Sequence, residues 1–300
     1  MTKRSMAALG MLVVLGAGCE RFIDRQIEKN LGRADTAVLQ SPDMTVVLCG
    51  TGSPLPDPAR AAACTAIVAN GEILLVDTGP GSWEQVDLAN LPTGAVGTVL
   101  LTHLHSDHIG DLGEAMTQSW IGGRTKPLDV YGPPGTAKVV DGFVMAYGAD
   151  EDARNAHHTE QYMPRGAAGA VAHEIQLGPE PDASAVVFER NGLEVIAFRV
   201  DHAPADGIGY RIEWNGRSVV LSGDTKKSAS VVKHATGADL LIHEALQPEL
   251  IRRSSQIAKT MGRERIAHMA NDILDYHTSV VEAAEVARDA KVPHLVLSHM

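Results

Sequence analysis

The stretch Thr102-His103-Leu104-His105-Ser106-Asp107-His108-Ile109-Gly110 places three imidazoles and a carboxylate within six residues. It follows the run Val99-Leu100-Leu101 and opens a segment of helical spacing over 108–120. Apolar on consecutive positions, Val99-Leu100-Leu101 reads as a strand covered on both faces. His103 and His105 are two apart and project to the same side of extended backbone. Asp107 and His108 follow where the chain turns into the helix. Four metal-capable side chains therefore converge on one small volume, and this mix of nitrogen and oxygen donors suits zinc or a similar divalent ion.

Upstream, short apolar runs bounded by Gly, Asn or Asp read as strands over 45–49, 65–69, 73–76 and 96–102. Downstream, 134–147 has helical spacing. Residues 148–184, rich in Ala, Gly, charge and His, show little periodicity and read as an inserted loop or lid, with His157, His158 and His173 as solvated loop histidines. Strand signals return at 185–189, 193–200, 209–214 and 218–221, with Asn215-Gly216 as a hairpin turn. A helix over 228–234, a strand over 240–243, a helical region over 246–275, a helix over 279–289 and a strand over 295–297 complete the pattern. Three of these strands lead into a further ligand type: His202, Asp224 and His299. Open α/β sheets place their ligands at the C-terminal edge of the strands. Strands with interleaved helices imply a layered α/β domain.

The chain has 300 residues, enough for a sizeable core, and 44% of them are hydrophobic. With 26 Lys+Arg against 37 Asp+Glu, its formal charge is −11, which disfavours non-specific nucleic-acid binding. Thirteen His against three Cys exclude a disulfide scaffold and a Cys-based zinc finger but leave room for imidazole chemistry. Cys49 and Cys64 are open to two readings, a pair formed after export or, for Cys49, a small core residue.

Lys3 and Arg4 precede an apolar run over 6–17 that has the length of a signal-peptide core and is too short to span a bilayer comfortably. Gly16-Ala17-Gly18-Cys19 resembles the acylation box of bacterial lipoproteins. The expected organisation is a signal peptide over 1–18, a tether over 19–43 and a catalytic domain over 44–300. The mature protein is expected to be exported, periplasmic or anchored to a bacterial membrane through lipidated Cys19. Loss of the leader's two cations takes the charge to −13.

His-x-His-x-Asp-His, a lone His202, Ser222-Gly223-Asp224-Thr225 and a terminal Ser298-His299 together resemble the metallo-β-lactamase superfamily. Gly50-Thr51-Gly52-Ser53-Pro54 and Leu75-Val76-Asp77-Thr78-Gly79-Pro80-Gly81 are similar to its two early loops. Ile242-His243-Glu244-Ala245 and Tyr276-His277-Thr278-Ser279 resemble its ribonuclease Z branch, which includes exported arylsulfatase-like hydrolases. The resemblance covers about residues 44–299. It implies a four-layer αββα sandwich with the site at one edge between two sheets. It also implies two divalent ions, zinc being expected. His103, His105 and His202 would hold the first, Asp107, His108 and His299 the second, and Asp224 would bridge them. A hydroxide formed from water by two such ions attacks the substrate. Asp107 also steers that water, His277 protonates the leaving group, and Glu244 orients His277.

Between His202 and Asp224 there is room only for two short strands and a turn, whereas the tRNA-gripping ribonuclease Z enzymes carry a long arm there. With the acidic charge and the export signal, this favours an exported hydrolase of a small phosphodiester or aryl sulfate ester, with nucleic acid an improbable partner. A tRNA 3′-processing endoribonuclease is the alternative within the family. A non-catalytic periplasmic metal-binding module is the alternative of another class. A homodimer is compatible with the sequence. Members of the family continue past the last histidine, so either the C-terminal tail is missing or this sequence is a fragment; with the tail absent, a weaker second metal site is expected.

Overall fold

The segments Cys64–Ala69 and Glu72–Val76 are buried at almost every position, which requires a covering layer on both faces. A computed structural model, described here for residues 20–29 and 31–300, shows what those layers are. The expected leader and Cys19 lie outside the described residues. Residues 20–29 form an exposed helix, α1.

The first sheet contains β1 (Thr45–Gly50), β2 (Cys64–Ala69), β3 (Glu72–Val76), β4 (Val96–Leu100), β5 (Leu128–Gly132) and β6 (Ala170–Glu174), in that spatial order. The second contains β7 (Ser184–Arg190), β8 (Leu193–His202), β9 (Ala205–Trp214), β10 (Arg217–Leu221), β11 (Leu240–Glu244) and β12 (His294–Ser298), again in order. In each sheet, strands near the chain's entry pair antiparallel, and those joined by helical crossovers pair parallel. The sheets face one another through Ile67, Leu74 and Leu100 on one side and Val195, Tyr210 and Ile212 on the other.

Leu75 and Val99 point outward, where Trp83 and Val86 of α2 (Ser82–Leu88) cover them together with Leu112 and Met116 of α4 (Leu112–Ile121). Val140 of α5 (Thr136–Tyr162) extends this layer. On the far side, Phe198, Val220 and Leu241 pack under Val231 of α6 (Ala229–Ala235) and Val286 of α9 (Val280–Ala290). The architecture is the expected αββα sandwich. Each outer apolar layer is sealed by burial worth roughly 1.5–3 kcal/mol for every large aliphatic side chain.

Several features depart from the pattern read off the sequence, β5 (Leu128–Gly132) among them. Residues 148–184 are not a free loop: α5 runs on to Tyr162, and β6 is the sixth strand of the first sheet. The half of the helix after Tyr147 escapes a periodicity reading because it is polar nearly all round, the core being met by Val140 and its neighbours in the first half. β6 sits half-exposed at a sheet edge and has little hydrophobic signal. The expected helix over 108–120 is two, a short α3 (Ser106–Ile109) and then α4. Thr78 donates its amide to the His108 carbonyl, and Asp111 donates its amide to the Thr78 carbonyl, so the loop after β3 is wedged into the break.

α7 (Pro248–Thr260) and α8 (Glu264–Asp272) form a hairpin between the end of β11 and His277, packed on one another through Ser255, Ala258 and Ala267. At the edge that carries the site, the two sheets are tied by Ile208 N–H donating to Thr102 O at 2.9 Å and Tyr210 Oη donating to Leu101 O at 2.8 Å.

Candidate metal centre

Strand β4 ends just before Thr102, and the chain crosses the mouth of the sandwich as extended backbone through His103 and His105 before coiling into α3. From the facing sheet, β8 ends on His202, the turn after β10 presents Asp224, and β12 leads into His299. All seven ligand candidates meet at this edge, and all but His105 are buried.

Asp224 lies at the centre. Its Oδ2 is 3.9 Å from His103 Nε2, 3.5 Å from His108 Nε2, 4.0 Å from His202 Nε2 and 3.4 Å from His299 Nε2. The candidate ligand atoms of His103, His105 and His202 lie within 4.8 Å of one another, as do those of Asp107, His108 and His299. His299 Nε2 is 3.1 Å from Asp107 Oδ2. His299 itself has a left-handed backbone (φ 54°) and is only 7% exposed, and Met300 N–H donates to Thr51 O at 2.9 Å. The residue that follows this ligand is thus tied to the loop after β1.

Several imidazoles are oriented from behind. His202 Nδ1 contacts the Tyr276 carbonyl at 3.1 Å; as the donor there, it leaves Nε2 facing the cluster. His108 Nδ1 is 2.8 Å from Asp77 Oδ2, and its buried Nε2 has no hydrogen-bond partner but faces Asp107 and Asp224 at 3.5 Å. A carboxylate behind an imidazole fixes its tautomer and raises its basicity as a ligand. Thr102 is held by the same Asp77, through its amide and its hydroxyl, both at 2.8 Å. The roles of Asp77 and of the Tyr276 carbonyl were not read from the sequence. Asp77 stands in a quoted loop motif, and an acidic residue at the C-terminal end of a buried strand was the available signal. The Tyr276 contact, being backbone, leaves no trace in the residue type.

The tight packing is possible because Gly79 has no side chain: a Cβ there would lie 2.1 Å from Asp107 O. Gly223 similarly combines φ 60° with a Cβ position 2.6 Å from Ile208 O.

The electrostatics are those of a cation site. Burial would raise Asp224, but the positive ends of His299 and His108 outweigh it and hold its carboxyl well below the usual range. Burial likewise works to raise Asp107, and the His299 hydrogen bond and His108 charge bring it down. Burial pushes His202 down to about 4 and His103 lower still, so both rings are neutral and free to donate lone pairs. Two neutral imidazoles from different sheets, carboxylates held ionised and an orphaned buried Nε2 on His108 fit a divalent metal.

Beside the cluster, His277 Nδ1 is 2.9 Å from Glu244 Oε1. The same oxygen accepts the Thr225 amide at 3.0 Å and the Thr278 amide at 3.2 Å. The His277 ring stacks on His299, with centroids 5.6 Å apart. His243 faces away from the site, fully buried, with Nδ1 against the Glu244 carbonyl. His157 and His158 are exposed on α5. His173 pairs with Asp129 at 2.7 Å and stacks on Tyr131, apart from the cluster. Cys49 and Cys64 are joined as a disulfide between β1 and β2.

A family model described as the Beta-lactamase superfamily domain matches residues 73–300. A protein named Ribonuclease Z from Mycobacterium marinum is 38% identical over 258 residues, covering 85% of each chain. Another of that name from Mycobacterium bovis is 38% identical over 260 residues with the same coverage. Among solved structures, the short form of human tRNase Z superposes with a TM-score of 0.64 at 24% identity, over 85% of this chain and 91% of that one. A diphosphatase of the PhnP family superposes at 0.56 and 17% identity, over 86% of this chain and 87% of that one. The chain belongs to the metallo-β-lactamase superfamily of metal-dependent hydrolases. Within it, its 38%-identical relatives are those named Ribonuclease Z.

These relatives overturn two expectations: the small-ester substrate and the exclusion of nucleic acid. The missing arm, the acidic charge and the export signal were the arguments for them. However, the match to the relative from M. marinum covers 85% of each chain, this one without such an arm included. The charge argument also fails, because a net charge does not describe a local surface.

Proposed function

We propose that this protein is an endoribonuclease of ribonuclease Z type that cleaves a phosphodiester at the 3′ side of precursor tRNA. The observation that carries the reading is the Glu244–His277 pair set against the seven-residue ligand cluster, in a chain 38% identical to proteins named Ribonuclease Z over most of its length.

In this reading His103, His105 and His202 hold one zinc ion, Asp107, His108 and His299 hold a second, and Asp224 lies between the two sets. Such a pair of ions supplies Lewis-acid stabilisation of the phosphoryl oxygens and a nucleophile at neutral pH. The chain's own groups do the rest. Asp107 orients the attacking water, its carboxyl held ionised by His299. Glu244 accepts the Nδ1 proton of His277, which turns Nε2 towards the cluster. From there His277 delivers a proton to the leaving ribose oxygen. Asp77 and the Tyr276 carbonyl keep His108 and His202 in the ligating tautomer.

The test is incubation of zinc-loaded protein with a transcribed precursor tRNA carrying a 3′ trailer, with the cut mapped to the nucleotide and metal measured on the same sample. Cleavage at the trailer junction by protein holding two ions per chain supports the reading. Intact precursor in the presence of two bound ions rejects it.

A further inference from the structure

An acidic enzyme with no arm between His202 and Asp224 still has to hold a polyanion. The chain there is occupied by β9 and β10, joined at Asn215-Gly216, and Asn215 Nδ2 donates to the Pro42 carbonyl. The departure from the sandwich closest to the site in sequence is the α7–α8 hairpin. It leaves four residues after Glu244, and the chain returns to the site at His277. With 13 residues in α7, it reaches roughly 20 Å at the helical rise.

Its charge differs from that of the molecule. Residues 248–272 contain Arg252, Arg253, Lys259, Arg263 and Arg265 against Glu249, Glu264 and Asp272, in a chain of net −11. Elsewhere most lysines and arginines are neutralised in place, as in Arg217–Asp239, Arg199–Asp206, Lys226–Asp201 and Lys227–Glu285. Of the hairpin's lysines and arginines, only Arg252 has an acidic partner among the described residues, Glu249 at 3.8 Å, and His268 lies 3.4 Å from Asp272. Arg253, Lys259, Arg263 and Arg265 are exposed, and none takes part in an ion pair among the described residues. Outside the hairpin, the exposed cations of residues 44–300 in the same condition are Lys126, Lys138 and Lys291, far apart in the sequence. Free cations grouped on one helical hairpin that leads back into the site are the kind of charge with which proteins neutralise a nucleic-acid backbone.

We propose that the α7–α8 hairpin is the surface on which the body of the RNA docks, with Arg253, Lys259, Arg263 and Arg265 contacting phosphates while the strand to be cut enters the cleft. The proposal rests on the ribonuclease reading above. Contacts of this kind are made to the backbone, so they fix position and affinity without reading sequence. The exposed apolar residues Leu250 and Ile257, seven apart on α7, and Met261 at its C-cap form a stripe that Arg253 borders and Lys259 lies opposite.

The experiment compares wild type with the quadruple variant R253Q/K259Q/R263Q/R265Q, both zinc-loaded. It reads binding of transcribed precursor tRNA by fluorescence anisotropy at several salt concentrations, RNA cleavage, and hydrolysis of bis-p-nitrophenyl phosphate. In the variant, KM for RNA is expected to rise at least about tenfold with kcat changed less than about twofold. The slope of log affinity against log salt should fall by roughly 2–3, as expected for a loss of three or four phosphate contacts. Metal content and the rate on the small diester should stay as in wild type. Unchanged RNA affinity and salt slope in the variant would overturn the docking surface while leaving the ribonuclease reading in place. A wild type that hydrolyses the small diester but neither binds nor cuts RNA would overturn both. Binding of the hairpin to phosphatidylglycerol vesicles in place of RNA, or its burial in a dimer of this chain in solution, would also overturn it.

Discussion

Glu244 Oε1 stands 2.9 Å from His277 Nδ1 and is also the acceptor for the amides of Thr225 and Thr278. One carboxylate oxygen therefore fixes the end of β11, the turn that carries Asp224 and the loop that carries His277. A change at Glu244 reaches both the proposed proton donor and the residue next to the central carboxylate.

Replacing His277 by Ala should leave metal binding intact and lower kcat by about 10²–10⁴-fold, the usual range for loss of a positioned general acid. Glu244→Gln should lose less, since it retains an acceptor towards the ring. Cleavage kinetics and metal content on the same preparations check this, and wild-type turnover by His277→Ala would remove the ring from proton delivery.

Asp77 touches no presumed metal position, yet it holds both His108 and Thr102. Asp77→Ala should weaken the ion held by Asp107, His108 and His299 by about 10–100-fold, the usual cost of losing such an outer partner. The ion at His103, His105 and His202 should be little affected. Calorimetric titration of metal-free protein distinguishes a biphasic from a uniform loss.

His243 is buried and held down to about 4, chiefly by burial, with the Glu244 carbonyl the only counterweight. In the unfolded chain a histidine protonates near 6.5. The unfolded state thus binds the proton first, and this contribution is complete above pH 6.5 and lost as the pH falls towards 4. The window is worth at most about 3 kcal/mol by linkage. Urea midpoints of wild type and His243→Asn at pH 7 and pH 5, in one metal state, should show a smaller acid loss in the variant. Equal losses would place the acid sensitivity elsewhere.

The Cys49–Cys64 bond closes a loop of 15-residue separation between β1 and β2. That loop includes Thr51, which accepts from Met300, and Ala63, which accepts from Gly79. Constraint of the unfolded chain by a loop of this size is worth about 3 kcal/mol in the chain-entropy view. Reduction, or a Cys49→Ser/Cys64→Ser double substitution, should lower unfolding stability by about 2–3 kcal/mol in denaturant titration. An unchanged midpoint would show that packing alone holds the strands.

The layered fold and the convergence of the ligand candidates were legible because buried strands and metal-donor residues both have dense local signatures. Val99-Leu100-Leu101 followed by the histidine run is such a case. β5, β6 and the full length of α5 were not legible, since their burial comes from neighbours distant in sequence and their own composition is mixed or polar. Asp77 was quoted but given no role, because only the fold shows that the His108 ring lies against it. The substrate was misread from global charge, a missing insertion and an expected export signal, none of which reports on a local surface.

His103, His105, Asp107 and His108 hang from the first sheet, and His202, Asp224 and His299 from the second. Both proposed ligand sets draw on the two sheets. An ion gripped from both sides acts as a clasp between two leaves, in addition to any chemistry it supports. Ligation that exists only in the closed form adds its binding energy to that form. Stripping the ions should therefore loosen the sandwich first at this edge, where Ile208 N–H and Tyr210 Oη would be left to hold the leaves together.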